Sequence, residues 1–177
     1  MNYFEFYNIH ESFYPDETAI KNTYRQFSRQ YHPDYFATET DEKQKKILDL
    51  STLNTNAYKT LSNFDRRLQY ILDTHGLLDE TKKNQLPNDF LMEMRDINEQ
   101  IMELEMDPDT AGISQIKLVS DLILANLEKE VQPLMQAYLT LPESEKTAAL
   151  EKVKIYYLKK KYLLRIQESL DKFATRS

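Results

Sequence analysis

This chain predicts an all-α fold: an N-terminal helical hairpin followed by a C-terminal antiparallel three-helix bundle. Three observations carry that expectation. Only two glycines, Gly76 and Gly112, and six prolines interrupt 177 residues, so turn formers are scarce. Apolar residues recur at helical spacing over long stretches. Hydrophobic residues make up 41% and charged residues 29%, the latter of both signs, which suits a packed core and argues against disorder.

Tyr3-Phe4-Glu5-Phe6-Tyr7 forms a short aromatic turn able to pack on the next element. Over residues 17–31, Ile20, Tyr24, Phe27 and Tyr31 fall at i, i+4, i+7 and i+11, one stripe of a helix. Lys21, Arg25 and Arg29 repeat every four residues on another face, against the single acid Glu17. His32-Pro33-Asp34 ends this helix. Pro33 fixes its own φ and drives His32 out of the α region, leaving an imidazole and a carboxylate on a stiff corner. Residues 42–62 read as a second long helix, with Ile47, Leu50, Asn54, Ala57, Tyr58 and Leu61 near one side. Together the two helices make an antiparallel hairpin. Residues 64–74 add a short helix with Leu68, Ile71 and Leu72 inward, and His75-Gly76 stops it with Gly76 available for a left-handed cap. Residues 77–87 are polar, end in Leu86-Pro87, and read as the connection between a first domain, 1–76, and a second, 88–177.

Three helical patterns follow. Asn88 or Asp89 is placed to cap a helix reaching about Met106, and Asp107-Pro108-Asp109 with Gly112 breaks it. The next runs from about Ser114 to Leu139 with Ile116, Val119, Ile123, Leu127 and Val131 inward; Pro133 should kink or break it. Leu141-Pro142 opens the last, which reaches about Phe173 with Leu150, Val153, Tyr157, Leu164 and Leu170 on one side.

Composition narrows the function. There is no cysteine, so neither disulfides nor thiolate metal sites arise on this chain. No stretch approaches the ~20 apolar residues of a membrane span, and the first helix starts almost at once with no signal or transit peptide, which makes the cytoplasm the expected compartment. Net charge is −6, and residues 88–107 alone hold seven carboxylates against Arg95. A nucleic-acid footprint needs a basic domain, so no nucleic-acid partner is expected. His10, His32 and His75 are the only histidines, none in the bundle, so the Glu-x-x-His pairs of a di-metal bundle are missing. No phosphate loop or nucleophile elbow is present. No catalytic residue, metal or cofactor is therefore expected, and the chain reads as a binding protein rather than an enzyme.

The order short helix, basic helix, His32-Pro33-Asp34, long helix ending in Ala57-Tyr58-Lys59-Thr60-Leu61 resembles a J-domain. Thr55 stands where J-domains usually place an asparagine, flanked by Asn54 and Asn56. The second half opens with Phe90-Leu91-Met92-Glu93 and carries Val153 to Leu158, VKIYYL. A J-domain followed by a linker and a helix opening with this tetrapeptide is similar to HscB, the co-chaperone family of iron–sulfur cluster biogenesis. That resemblance implies that His32, Pro33 and Asp34, with Lys21, Arg25 and Arg29, engage an HscA or other DnaK-type ATPase and stimulate its hydrolysis. It implies too that the bundle holds the IscU scaffold through Leu91, Met92 and Tyr157, with Asp96, Glu99 and Glu103 as acidic neighbours. Arg95 stands where the family has an apolar residue. From periodicity alone, Leu91, Met92 and Tyr157 suit a bundle core equally well, since every bundle helix needs an apolar stripe. Two other functions fit the same residues: a J-domain co-chaperone for a different client, and a structural helical dimerisation module.

Overall fold

The computed structural model describes residues 2–78, 85–107 and 109–174. Residues 79–84 of the connection read over 77–87, and Pro108, lie outside them. Among the described residues every regular element is helical: α1 (Tyr3–Phe6), α2 (Glu17–Gln30), α3 (Asp41–Leu61), α4 (Phe64–Thr74), α5 (Asn88–Met106), α6 (Thr110–Ala137) and α7 (Glu143–Ala174), with 3₁₀ turns at Pro33–Phe36 and Tyr138–Thr140. Packing separates two units, Met1–Gly76 with Tyr138–Thr140, and Leu77–Ala137 with Leu141–Ser177.

In the first unit α2 and α3 form the expected hairpin, and α1 and α4 pack on α3. The aromatic turn closes the core as its composition suggested. Phe27 of α2 meets Phe6 at 5.1 Å and Tyr7 at 6.0 Å between ring centroids, and Tyr24 stacks on Tyr58 of α3 at 4.2 Å. Ile20, Ile47, Ala57, Leu61, Leu68, Ile71 and Leu72 are buried around them. Each large side chain so buried contributes roughly 1.5–3 kcal/mol. Gly76 has φ +67°, the left-handed geometry that ends α4 and that a side chain would strain.

Two buried polar side chains tie this unit together. Asn54 is enclosed on α3: its Oδ1 accepts from the Tyr7 hydroxyl at 2.8 Å, and its Nδ2 donates to the Tyr24 carbonyl and the Ser28 hydroxyl, each at 3.1 Å. One residue thus pins α1, α2 and α3 in register. Burial pushes the Tyr7 hydroxyl well above the usual tyrosine range, and Tyr24 and Tyr58 push it the same way. Arg67 of α4 is the other. Its Nε donates to the Phe13 carbonyl at 3.0 Å and its Nη1 to the Leu61 carbonyl at the last residue of α3. Burial lowers its pKa, but the cation sits at the negative end of a helix dipole and donates to two backbone carbonyls. The inward set expected of α4 held Leu68, Ile71 and Leu72 but not this arginine.

The second unit is a three-helix bundle in which α5, α6 and α7 all meet. Its core runs through Phe90, Met94, Ile97 and Leu104 of α5, Ile113 and Ile116 of α6, and Leu163, Ile166 and Leu170 of α7. Five local expectations change. Pro87, not Asn88 or Asp89, is the α5 cap residue, and the Asp89 carboxylate accepts from the adjacent Phe90 amide. α6 begins at Thr110 rather than Ser114, because the Asp109 carboxylate takes the amides of Ala111 and Gly112 at 3.2 and 2.8 Å. Gly112 is therefore inside the first turn and not a break. A Cβ there would lie 3.0 Å from a Leu104 methyl, so glycine permits the close approach of α5 and α6. The break allowed for at Pro133 does not occur, since α6 runs through it to Ala137. The proline ring is exposed while Val131 and Met135 on either side are buried, and their packing offsets the lost backbone bond. Finally, Val119 is 37% exposed and Leu164 36%; Ser120 and Leu163, one residue away on each helix, are buried instead.

Candidate functional sites

The first site is the corner after α2. His32 leaves the helix with φ −73° and ψ 122°, the extended backbone that a following proline demands, and Pro33 opens the 3₁₀ turn. The His32 Nδ1 accepts from the Asp34 amide at 3.3 Å. That acceptor role places the proton of the neutral ring on Nε2, which becomes the ring's donor. The Asp34 carboxylate lies 3.8 Å from Nδ1. The two side chains are 49% and 85% exposed, so both groups are offered to solvent on a backbone with little freedom. Pro33 is exposed between them.

Lys21, Arg25 and Arg29 are all exposed on α2, and the last stands three residues before the corner. The structure thus leaves six sequence-predicted residues accessible on one short run of chain. Tyr35 joins them: its ring is 5.3 Å from that of His32 and it is 72% exposed. A large aromatic one residue beyond His32-Pro33-Asp34, outside the apolar stripe of either flanking helix, was the signal for it. Of the nearby lysines, Lys43 is engaged locally, pairing with Glu39 at 2.8 Å and lying 5.7 Å from the Phe36 ring centroid.

The second site is the outer face of α5. Leu91, Met92, Arg95, Asn98, Glu99 and Met102 line one open depression there. The reason is periodicity: Phe90, Met94, Ile97 and Leu104 take the core face, so residues at 91–92, 95, 98–99 and 102 fall on a second stripe away from it. Leu91 is 43% and Met92 75% exposed. Arg95 pairs with Glu99 at 3.1 Å, which lays its stem along the stripe. Asp96 and Glu103 are exposed and flank that stripe seven residues, about two helical turns, apart. Met102 and Met106, both strongly exposed, extend it and were not anticipated.

Tyr157 does not share this surface. It is buried, with the Lys161 ammonium 5.4 Å from its ring centroid, so its apolar position on α7 belongs to the core set with Leu150 and Val153. Periodicity could not separate the two outcomes; burial does. Among the described residues no group of carboxylates and histidines is arranged to hold a metal ion, and no helix is long and apolar enough to cross a membrane.

Comparisons with known proteins agree with this anatomy. Residues 86–171 match the family described as the HSCB C-terminal oligomerisation domain. The chain is 31% identical over 137 residues to the co-chaperone protein HscB homolog of Psychromonas ingrahamii, covering 77% of this chain and 80% of that protein. It is 30% identical over 173 residues to the homolog of Aeromonas hydrophila, covering 96% and 98%. Among solved structures, human co-chaperone protein HscB superposes with a TM-score of 0.69 at 25% identity, over 97% of this chain and 81% of that one. Chaperone HscB from Vibrio cholerae superposes at 0.63 with 20% identity, over 99% of both chains, a likeness of fold.

Proposed function

Because this chain belongs to the HscB co-chaperone family, we propose that it stimulates a DnaK- or HscA-type ATPase through its first unit and delivers an IscU-type scaffold protein held by its second. The observation that carries this reading is the pairing, on one chain, of an exposed His32-Pro33-Asp34 corner beside a basic helix face with an exposed apolar and acidic face on α5. The domain division is 1–76 for the ATPase partner, 77–87 as connection and 88–177 for the client.

The corner acts as an allosteric ligand. It shifts the ATPase only by binding one of its states better than another. The His32 Nε2–H and the Asp34 carboxylate are a donor and an acceptor two residues apart on a restricted backbone, suited to reading one backbone arrangement of the partner. Lys21, Arg25 and Arg29 steer an acidic surface into register, a contact that weakens with salt. The reversal Arg25→Glu with Arg29→Glu should lower ATPase stimulation about tenfold at low salt and leave scaffold affinity unchanged. Equal loss of both activities would show a folding defect and remove support for a docking role.

On α5, Leu91 and Met92 supply the apolar anchor and Asp96, Glu99 and Glu103 the charged rim. Tyr157 is buried, so Leu91 and Met92 carry the exposed part of this patch. The variant Leu91→Ser should weaken scaffold binding by about 1–3 kcal/mol, measured by calorimetry with purified scaffold, while circular dichroism stays unchanged. Full-strength binding by this variant would exclude the α5 face. Holding the client on the same chain as the trigger raises its concentration at the ATPase, as any tether does.

A second reading has one observation in its favour. The description of the family matched by residues 86–171 names oligomerisation, so self-association of the second unit is a function to measure beside client binding.

A further inference from the structure

α5 is shorter than its neighbours: it has 19 residues, α6 has 28 and α7 has 32. Near its start, Phe90 meets Tyr162 of α7 at 5.7 Å between ring centroids, and the Lys159 ammonium lies 5.0 Å from the Phe90 ring. The α6–α7 hairpin therefore runs on past the start of α5. A groove of about 290 Å³ opens between the two helices in that extension, floored by Leu127, Val131, Leu134 and Ile155 and rimmed by Lys152 and Lys159. Glu130 is the single carboxylate of its lining, so the groove is net positive in a chain of net charge −6.

The complement is on the same molecule. The outer stripe of α5 is apolar through Leu91, Met92 and Met102, with Asp96 and Glu103 beside it. Asp96 and Glu103 are seven residues apart, as are Lys152 and Lys159. At 1.5 Å per residue each pair spans about 10.5 Å, so the two carboxylates match the two ammonium groups in register while apolar side chains meet between them. A helix cannot lay its outer face into a groove of its own bundle, so the occupant comes from another molecule.

We propose that the α6–α7 groove receives the α5 outer face of a second copy of this chain, and that this self-association covers the scaffold-binding face. A two-fold pair makes the contact twice. The proposal rests on the oligomerisation reading for its existence and on the α5 client face for its consequence: free protein is paired, and an IscU-type scaffold separates the pair by competing for Leu91 and Met92.

The test uses the full chain and charge exchange. Sedimentation of the wild type should show a concentration-dependent dimer. The double variants Lys152→Glu/Lys159→Glu and Asp96→Lys/Glu103→Lys should each dimerise about tenfold or more weakly, and an equimolar mixture of the two should associate again, since in the mixed pair both contacts regain opposite charges. A wild type that stays monomeric at all concentrations, or a mixture that fails to associate, overturns the proposal. Circular dichroism of each variant separates misfolding from lost contact. Calorimetry of the monomeric Lys152→Glu/Lys159→Glu chain with scaffold distinguishes the two readings: binding retained with dimer lost supports the proposal, whereas a dimer disrupted by neither variant removes it whether or not scaffold binds.

Discussion

The variant His32→Gln should fold like the parent and lose ATPase stimulation by about 5- to 150-fold, the span of an ordinary allosteric coupling of 1–3 kcal/mol. Folding is spared because the imidazole is half in solvent and its Nδ1 accepts a local bond from the Asp34 amide. Losing that bond costs about 1 kcal/mol or less, as for other exposed caps. Function is not spared, because glutamine offers no planar ring with its donor held by an internal acceptor. Pro33 sets the geometry of this corner. It holds the His32 backbone extended and starts the 3₁₀ turn, so the backbone that presents the donor and the Asp34 carboxylate is set before any partner arrives. Stimulation is read with the chaperone at saturating nucleotide, and stability by thermal unfolding of the same preparation. Parental stimulation by this variant would remove the corner from the mechanism.

The variant Asn54→Ala should destabilise the first unit by about 2–4 kcal/mol. Its amide serves Tyr7, Tyr24 and Ser28 in the interior, and alanine leaves those groups without it. A small cavity adds to the loss. The α2–α3 register depends on the same bonds, so the corner at the end of α2 should lose its fixed position and ATPase stimulation should fall together with the denaturation midpoint. A fall in stimulation with an unchanged midpoint would contradict this account of Asn54. The neighbouring hydroxyl adds a pH signature. Tyr7 binds its proton more tightly folded than unfolded, so its contribution is complete below the ordinary tyrosine value of 10.0 and declines as pH rises above it. Tyr7→Phe should flatten that decline, measured as unfolding midpoint between pH 8 and 11, a window set around the reference tyrosine value of about 10.

What could be read beforehand was what short-range chemistry dictates. His32-Pro33-Asp34 declares itself because proline restricts two residues at once, and the basic repeat of Lys21, Arg25 and Arg29 because four-residue spacing is one helix face. Gly76 announced a left-handed cap and adopts one. What escaped was long-range. Asn54 was placed on the inner side of its helix, but its partners lie 26 to 47 residues away. Arg67 was absent from the inward set expected of α4 because nothing local shows two carbonyls waiting for it. Leu91 and Tyr157 carry equivalent apolar signals, and packing sends one outward and the other inward. Pro133 and Gly112 have strong local preferences against helix, and the tertiary contacts of α6 override both.

The central claim is that one chain carries both the ATPase trigger and the client holder. It is tested most directly by the hydrolysis rate of the DnaK- or HscA-type chaperone measured alone, with IscU-type scaffold, with this protein, and with both. The account predicts that the two together accelerate hydrolysis by more than the product of their separate effects, and that Leu91→Ser removes the excess. A joint rate no greater than that product, or an excess that survives Leu91→Ser, would contradict it.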